Sequence, residues 1–173
     1  MKKLMLQGLA MALLAPLSFA VEAVSTVHGT ISKIDSGAKT IVVKTADGTE
    51  HVVRIVAKTT VHGTEVGAKD TFHGLKEGSE VVAHYTAKGA ENTAVEVDRL
   101  GKDGLHSVDG TVSEVDRGGK KLIVKSADGT EQAFKLADHA AVETGEGVEK
   151  SAKVTVYYTE DAGKKVAHFF MKR

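Results

Sequence analysis

The chain repeats itself. Sliding the sequence by 81 positions lays residues 27–55 over 108–136 without a gap, and 14 of the 29 pairs are identical. A gapless match of that density marks an internal duplication, so whatever the chain folds into is built twice. The repeated residues include Gly29/Gly110, Thr30/Thr111, Ser32/Ser113, Asp35/Asp116, Lys39/Lys120 and Val43/Val124, and apolar positions exchange like for like, as in Ile31/Val112 and Ile41/Leu122. The downstream ends align at a smaller offset of 73, with 81–86 over 154–159, so the first copy carries eight extra residues in between.

Each copy reads as strands. Val, Ile and Thr fill short runs separated by Gly and Asp, which is strand and turn chemistry. The spacing predicts strands near 27–35, 40–46, 49–56, 79–86 and 92–99, then near 108–116, 121–127, 130–137, 152–159 and 165–171. Asp47-Gly48 and Asp128-Gly129 lie between apolar runs and predict hairpin tips, as two-residue type I′ turns with positive φ at both central positions. Ser36-Gly37 and Gly118-Gly119 mark the preceding turns. The middle of the second strand, Ile41-Val42-Val43, is apolar on both faces, so alternation does not say which face is inside.

Five strands in about 70 residues, with a longer link between the third and fourth, fit a small barrel of the oligonucleotide/oligosaccharide-binding (OB) kind. The expected fold class is thus all-β, two tandem five-stranded OB-like barrels after a signal peptide; a meander or sandwich shared between the copies is the alternative. The boundaries are 1–20 for the signal peptide, 24–100 for repeat one, 101–107 for a linker with a Gly101–Gly104 hinge, and 108–173 for repeat two.

The signal peptide rests on Met1-Lys2-Lys3, the apolar run to Leu17 and the small residues around Ala20, with Ala23 as the second cleavage choice. The run falls short of the about 20 apolar residues of a spanning helix, so no stable membrane insertion is expected after cleavage, and the expected location is the periplasm or the exterior. The chain has no Cys, which excludes disulfides, thiolate metal sites and a cysteine nucleophile. Basic and acidic side chains balance at 23 each, which argues against nucleic acid as a partner.

The pattern in Gly29-Thr30-Ile31-Ser32-Lys33-Ile34-Asp35, in Gly110-Thr111-Val112-Ser113-Glu114-Val115-Asp116, and later in Leu75-Lys76-Glu77-Gly78-Ser79 resembles the small OB-like β-barrel domains of unknown function found, often in tandem, in exported bacterial proteins. The second copy departs from it at Gly147-Val148-Glu149-Lys150-Ser151. The resemblance implies a fold and a compartment. It brings no catalytic residue.

Histidine is the one enriched chemical group, with eight residues. No H-x-H, H-x₃-H or H-E-x-x-H spacing occurs, and the copies disagree: His28 aligns with Asp109, His51 with Gln132, His84 with Tyr157 and His139 with Lys58. Dispersed, solvent-facing histidines are the plain expectation. The sharper one is a metal site of the first copy alone, on His62 and His73, which bracket the longer loop. Periplasmic copper chaperones use an OB barrel too, but their thioether ligands and tryptophan are missing: Met171 is the one Met after the signal, and there is no Trp. Cu(I) is therefore disfavoured, and Zn²⁺, Ni²⁺ or Cu²⁺ held by histidine is the option.

No nucleophile elbow, phosphate loop or metalloprotease helix is present, so no enzymatic activity is expected. The sequence thus predicts an exported, non-catalytic binding or interaction protein whose partner is a protein, peptide or glycan. A histidine-dependent divalent metal carrier and a structural cell-envelope protein are the alternatives, and no cofactor beyond such a metal is implied.

Overall fold

A computed structural model describes residues 23–173 apart from 66, 119 and 146. The signal-peptide reading, and with it residues 1–20, lies outside the described residues, as does Gly119 of one expected turn. Among the described residues no helix is long and apolar enough to cross a membrane.

The architecture is all-β, in two sheets. The first contains β1 (Val24–Asp35), β2 (Thr40–Lys44), β3 (Glu50–Arg54), β4 (Thr60–His62), β5 (Glu80–Lys88) and β6 (Glu91–Arg99), in the order β3-β2-β1-β5-β6-β4. A bridge between Arg54 of β3 and Thr93 of β6 joins the strands into a ring. The second contains β7 (His106–Asp116), β8 (Lys121–Lys125), β9 (Glu131–Val142), β10 (Lys153–Asp161) and β11 (Lys164–Lys172), and it is a closed five-stranded barrel. In both, a parallel pairing, β3 and β4 with β6 or β9 with β11, closes an otherwise antiparallel sheet, as expected of a Greek-key barrel of the OB kind. The first copy differs from expectation by its extra short strand β4. It pairs with β6 where the second copy uses the far end of the longer β9.

The repeated residues build the scaffold. Gly29 and Gly110 lie where the neighbouring strand comes closest: a Cβ added to Gly29 would sit 2.3 Å from Lys44 O, and one on Gly110 2.6 Å from Lys125 O. Ser32 and Ser113 fall at β-bulges, where the register of β1 with β2 and of β7 with β8 shifts. Their hydroxyls donate to Val42 O and Ile123 O, satisfying backbone on the partner strand. Ile41 and Val43 point into the first core while Val42 is half-buried, which settles the strand that alternation left open. Val53, Val81, Ala83 and Val97 fill the first barrel, and their counterparts Phe134, Val154, Val156 and Phe170 fill the second.

The hairpin tips are at Asp47-Gly48 and Asp128-Gly129, but they are not two-residue type I′ turns. Gly48 N donates to Thr45 O and Thr45 N to Thr49 O, and only the glycine has positive φ, at 88°. The same pattern holds at Ser126, Gly129 and Thr130, with φ 87° at Gly129. These are longer tips with a left-handed glycine. Asp47 is free to keep negative φ because its carboxylate accepts from Thr49 N and from the Thr45 hydroxyl, fixing the turn from its side chain.

The segment between the sheets is tightly tied. Leu105 N donates to Arg99 O and Gly104 N to Gly101 O, and Leu105 is buried. Leu105, Leu100 and Val82 form a third apolar cluster with Phe169 of β11, flanked by Ala141, Tyr157 and Met171. The two repeats therefore share a core along a seam.

Candidate metal centre at the seam of the two barrels

The seam has a polar end. His62 from β4, Glu96 and Asp98 from β6, and His168 from β11 each turn one ligating atom toward a common point, and these atoms lie within 4.8 Å of one another. His62 Nδ1 is 2.8 Å from Asp98 Oδ1 and 3.4 Å from Glu96 Oε1. His168 Nδ1 is 3.0 Å from Glu96 Oε1 and 3.6 Å from Asp98 Oδ1. The two imidazole centroids are 4.4 Å apart.

The local folding that places these groups is specific. Glu96 and Asp98 alternate with Val97, whose side chain fills the first barrel, so both carboxylates project outward from it. Outward here means toward the second barrel, and Asp98 is 0% exposed as a result. His168 stands at a β-bulge: Tyr157 pairs with Phe169 and Tyr158 with Ala167, leaving His168 outside the ladder. The bulge re-aims its ring toward the seam. Its Nε2 lies 3.0 Å from the Thr159 hydroxyl, which fixes the ring and leaves Nδ1 to face the carboxylates.

A carboxylate can only accept, so the four atoms need positive charge among them. Two solutions neutralise the two carboxylates: protons on the imidazoles, or one divalent cation. In the protonated form the hydrogen bond to Asp98, and then that to Glu96, raises His62 to about 9. Burial would push Glu96 up, but the hydrogen bonds from His168 and His62 outweigh it and hold this carboxyl well below its usual range. The same four atoms could also hold a cation. Ligands about 2.1 Å from a tetrahedral ion stand about 3.4 Å apart, and the four N···O separations scatter around that value.

Behind the centre stands His84, 1% exposed. Its Nδ1 is 3.0 Å from the Thr26 hydroxyl and its Nε2 3.5 Å from Asp98 Oδ2. Neither Nε2 nor Oδ2 has a hydrogen-bond partner among the described residues.

The sequence-based expectations fare unevenly here. The histidines are not uniformly solvent-facing: His84 and His168 are buried, and His62 is partly so. The cause is the shared core, which covers the outer faces of β5, β6 and β11. His62 is in the cluster. His73 is not one of its four residues, and lies instead on a cavity that His62 also lines. The cluster is not confined to the first copy, because His168 crosses from the second. Sequence reasoning missed Glu96, Asp98, His168 and His84. One signal was available: under the offset of 73, His84, Glu96 and Asp98 align with Tyr157, Phe169 and Met171, three polar residues against three bulky ones on matched strands.

Fold and cluster together define an all-β protein of two OB-like barrels with a histidine–carboxylate group between them. No protein-family model and no curated protein matches the chain. Among solved structures, it is similar to Ag(I) CusF at 13% identity and a TM-score of 0.35, over 40% of this chain and 97% of that one. A second CusF–Ag(I) structure, from Escherichia coli, gives 14% and 0.34, over 39% of this chain and 89% of that one. Drosophila Unr CSD456 gives 14% and 0.40, over 87% of this chain and 63% of that one. All are distant likenesses.

Proposed function

We propose that this is an exported, non-catalytic protein that binds a divalent cation at the seam between its two barrels. His62 Nδ1, His168 Nδ1, Glu96 and Asp98 supply the ligands. The carrying observation is the convergence of two imidazole nitrogens and two carboxylates within 4.8 Å, all but one of these residues being buried. Two nitrogens and two oxygens suit Zn²⁺, Cu²⁺ or Ni²⁺, whereas Cu(I) and Ag(I) favour sulfur. The one sulfur after the signal segment (residues 1–20), Met171 Sδ, accepts a hydrogen bond from the Tyr157 hydroxyl at 3.3 Å.

Export is supported by the amino-terminal sequence pattern, and a non-catalytic role by the absence of any recognisable nucleophile or phosphate-binding motif. The test is titration of the full mature chain with each ion against a competing chelator. Wild type binds at least one of them with Kd below about 10 µM, roughly −7 kcal/mol. His168→Ala and Asp98→Asn each weaken it at least about tenfold, in line with loss of a direct ligand. Wild-type affinity in both variants would remove the centre from consideration.

A further inference from the structure

The proposed centre is nearly sealed. Asp98 is inaccessible, Glu96 and His168 are buried, and His62, with its side chain 28% exposed, is the ligand that meets solvent. A hydrated cation must therefore pass His62. Outside it lies a surface cavity of about 360 Å³ lined by His62, Thr64, Glu65, His73 and Thr159 among others. One wall is formed by Gly63, Thr64, Glu65, Gly67, Ala68 and His73, in the longer link of the first copy. The other is Thr159 of β10, whose hydroxyl contacts His168 Nε2. The cavity thus touches one histidine ligand directly and the other through a hydroxyl.

His73 is held in place on that wall. Asp70 accepts from Phe72 N at 2.9 Å and Gly74 N at 3.0 Å through its carboxylate, and from His73 N at 3.0 Å through its carbonyl. Phe72 and Leu75 on either side are buried in the first core. Between these anchors His73 adopts a left-handed backbone, φ 52°, a conformation disfavoured for a residue with a Cβ and maintained only where the surroundings impose it. The loop thus fixes the backbone of a histidine that lines the same cavity as the one partly exposed ligand.

We propose that this cavity is the port of the centre and that His73 is its capturing ligand: it takes the incoming cation in exchange for one bound water and passes it to His62. This inference rests on the metal-centre reading. At the first step a bound water leaves as the His73 nitrogen arrives; at the second His73 leaves as the His62 nitrogen takes its place and gives up its proton to solvent, so no intermediate is a bare ion, and the Glu65 carboxylate adds negative charge at the rim.

The test is the exchange kinetics of Zn²⁺ in the full mature chain, read by stopped-flow with a fluorescent chelator. The variants are His73→Gly, which keeps the left-handed backbone, and Ala68→Phe, which narrows the cavity. With the port as proposed, both variants slow uptake and release together by about tenfold, and equilibrium affinity stays within about threefold, since a transit ligand lowers the barrier without holding the ion. Unchanged rates in both variants, with wild-type affinity, overturn the port and leave the centre standing. Faster release with weaker binding in His73→Gly also overturns it, since His73 would then be a resident ligand. No Zn²⁺ binding by wild type overturns both readings.

Discussion

His84 Nε2 and Asp98 Oδ2 face one another at 3.5 Å, and neither makes a hydrogen bond among the described residues. Both are sealed from water, so each is paired with the other by position alone. A shift of about half an ångström would bring them to normal hydrogen-bond length. Asp98 is in effect stretched between two demands, its Oδ1 toward His62 and His168 and its Oδ2 toward His84. A cation on Oδ1 would fix the carboxylate, and His84 is placed to hold it from behind. His84→Leu is therefore expected to weaken Zn²⁺ or Cu²⁺ binding by about 10-fold or more, the usual effect of losing an outer partner of a ligand, with His84→Gln closer to wild type. Chelator competition on the two variants measures this.

The metal-free protein is expected to lose stability as pH rises. His62 has its proton held by Asp98 and Glu96 up to about 9, against 6.5 in a free histidine. Its contribution is complete below about pH 6.5 and is lost as pH climbs through about 9, on the order of 3 kcal/mol. Glu96 works in the other direction: its lowered value stabilises the fold above the ordinary carboxylate range and gives way in acid. Urea unfolding at pH 7, 8.5 and 10 shows the alkaline loss in wild type, and a His62→Gln variant is flat over that window by comparison.

Metal binding is expected to expel a proton. At neutral pH the His62 nitrogen that would bind the ion is protonated, so ion and proton compete for it. Apparent affinity then rises about tenfold per pH unit and levels off near pH 9. Calorimetry in two buffers of different ionisation enthalpy, with Zn²⁺ as titrant, counts the protons released; none at pH 7 would mean that His62 is not a ligand.

The scaffold glycines should separate cleanly from the site. Gly29→Ala drives a Cβ into Lys44 O and is expected to cost about 1–3 kcal/mol or more, as overpacking does. Gly48→Val meets open space but inherits φ 88°, for a cost of about 1–3 kcal/mol in backbone strain. Thermal unfolding shows both losses, and Zn²⁺ affinity of the folded Gly48→Val protein stays at the wild-type value.

The barrels were largely legible because duplication doubles every strand signal: Val, Ile and Thr runs, the Gly29/Gly110 approach and the Asp-Gly tips all occur twice. Strand β4 was not, since Thr60-Val61-His62 is too short to show a period. The turn type was misjudged because an Asp-Gly pair fits either a two-residue tip or a longer one, and the choice lies in whether Thr45 and Thr49 pair. The site was harder. Val95-Glu96-Val97-Asp98 alternates like any strand with one face in water, and only the second barrel makes that face interior. The bulge that turns His168 inward leaves no mark in composition. His62 could be picked from its place beside the longer loop, but its partners lie up to 106 positions away.

The seam also tells the two halves apart. Glu96 and Asp98 on one barrel correspond to Phe169 and Met171 on the other, so the two faces have the same backbone and opposite chemistry. Two first barrels brought together on this face would set four carboxylates against each other. Two second barrels would leave the bulged His168 of each without an acid. Only the unlike pair satisfies both, so a chain made of near-copies, ordinarily at risk of associating like with like, carries in its own asymmetry the rule for which face meets which.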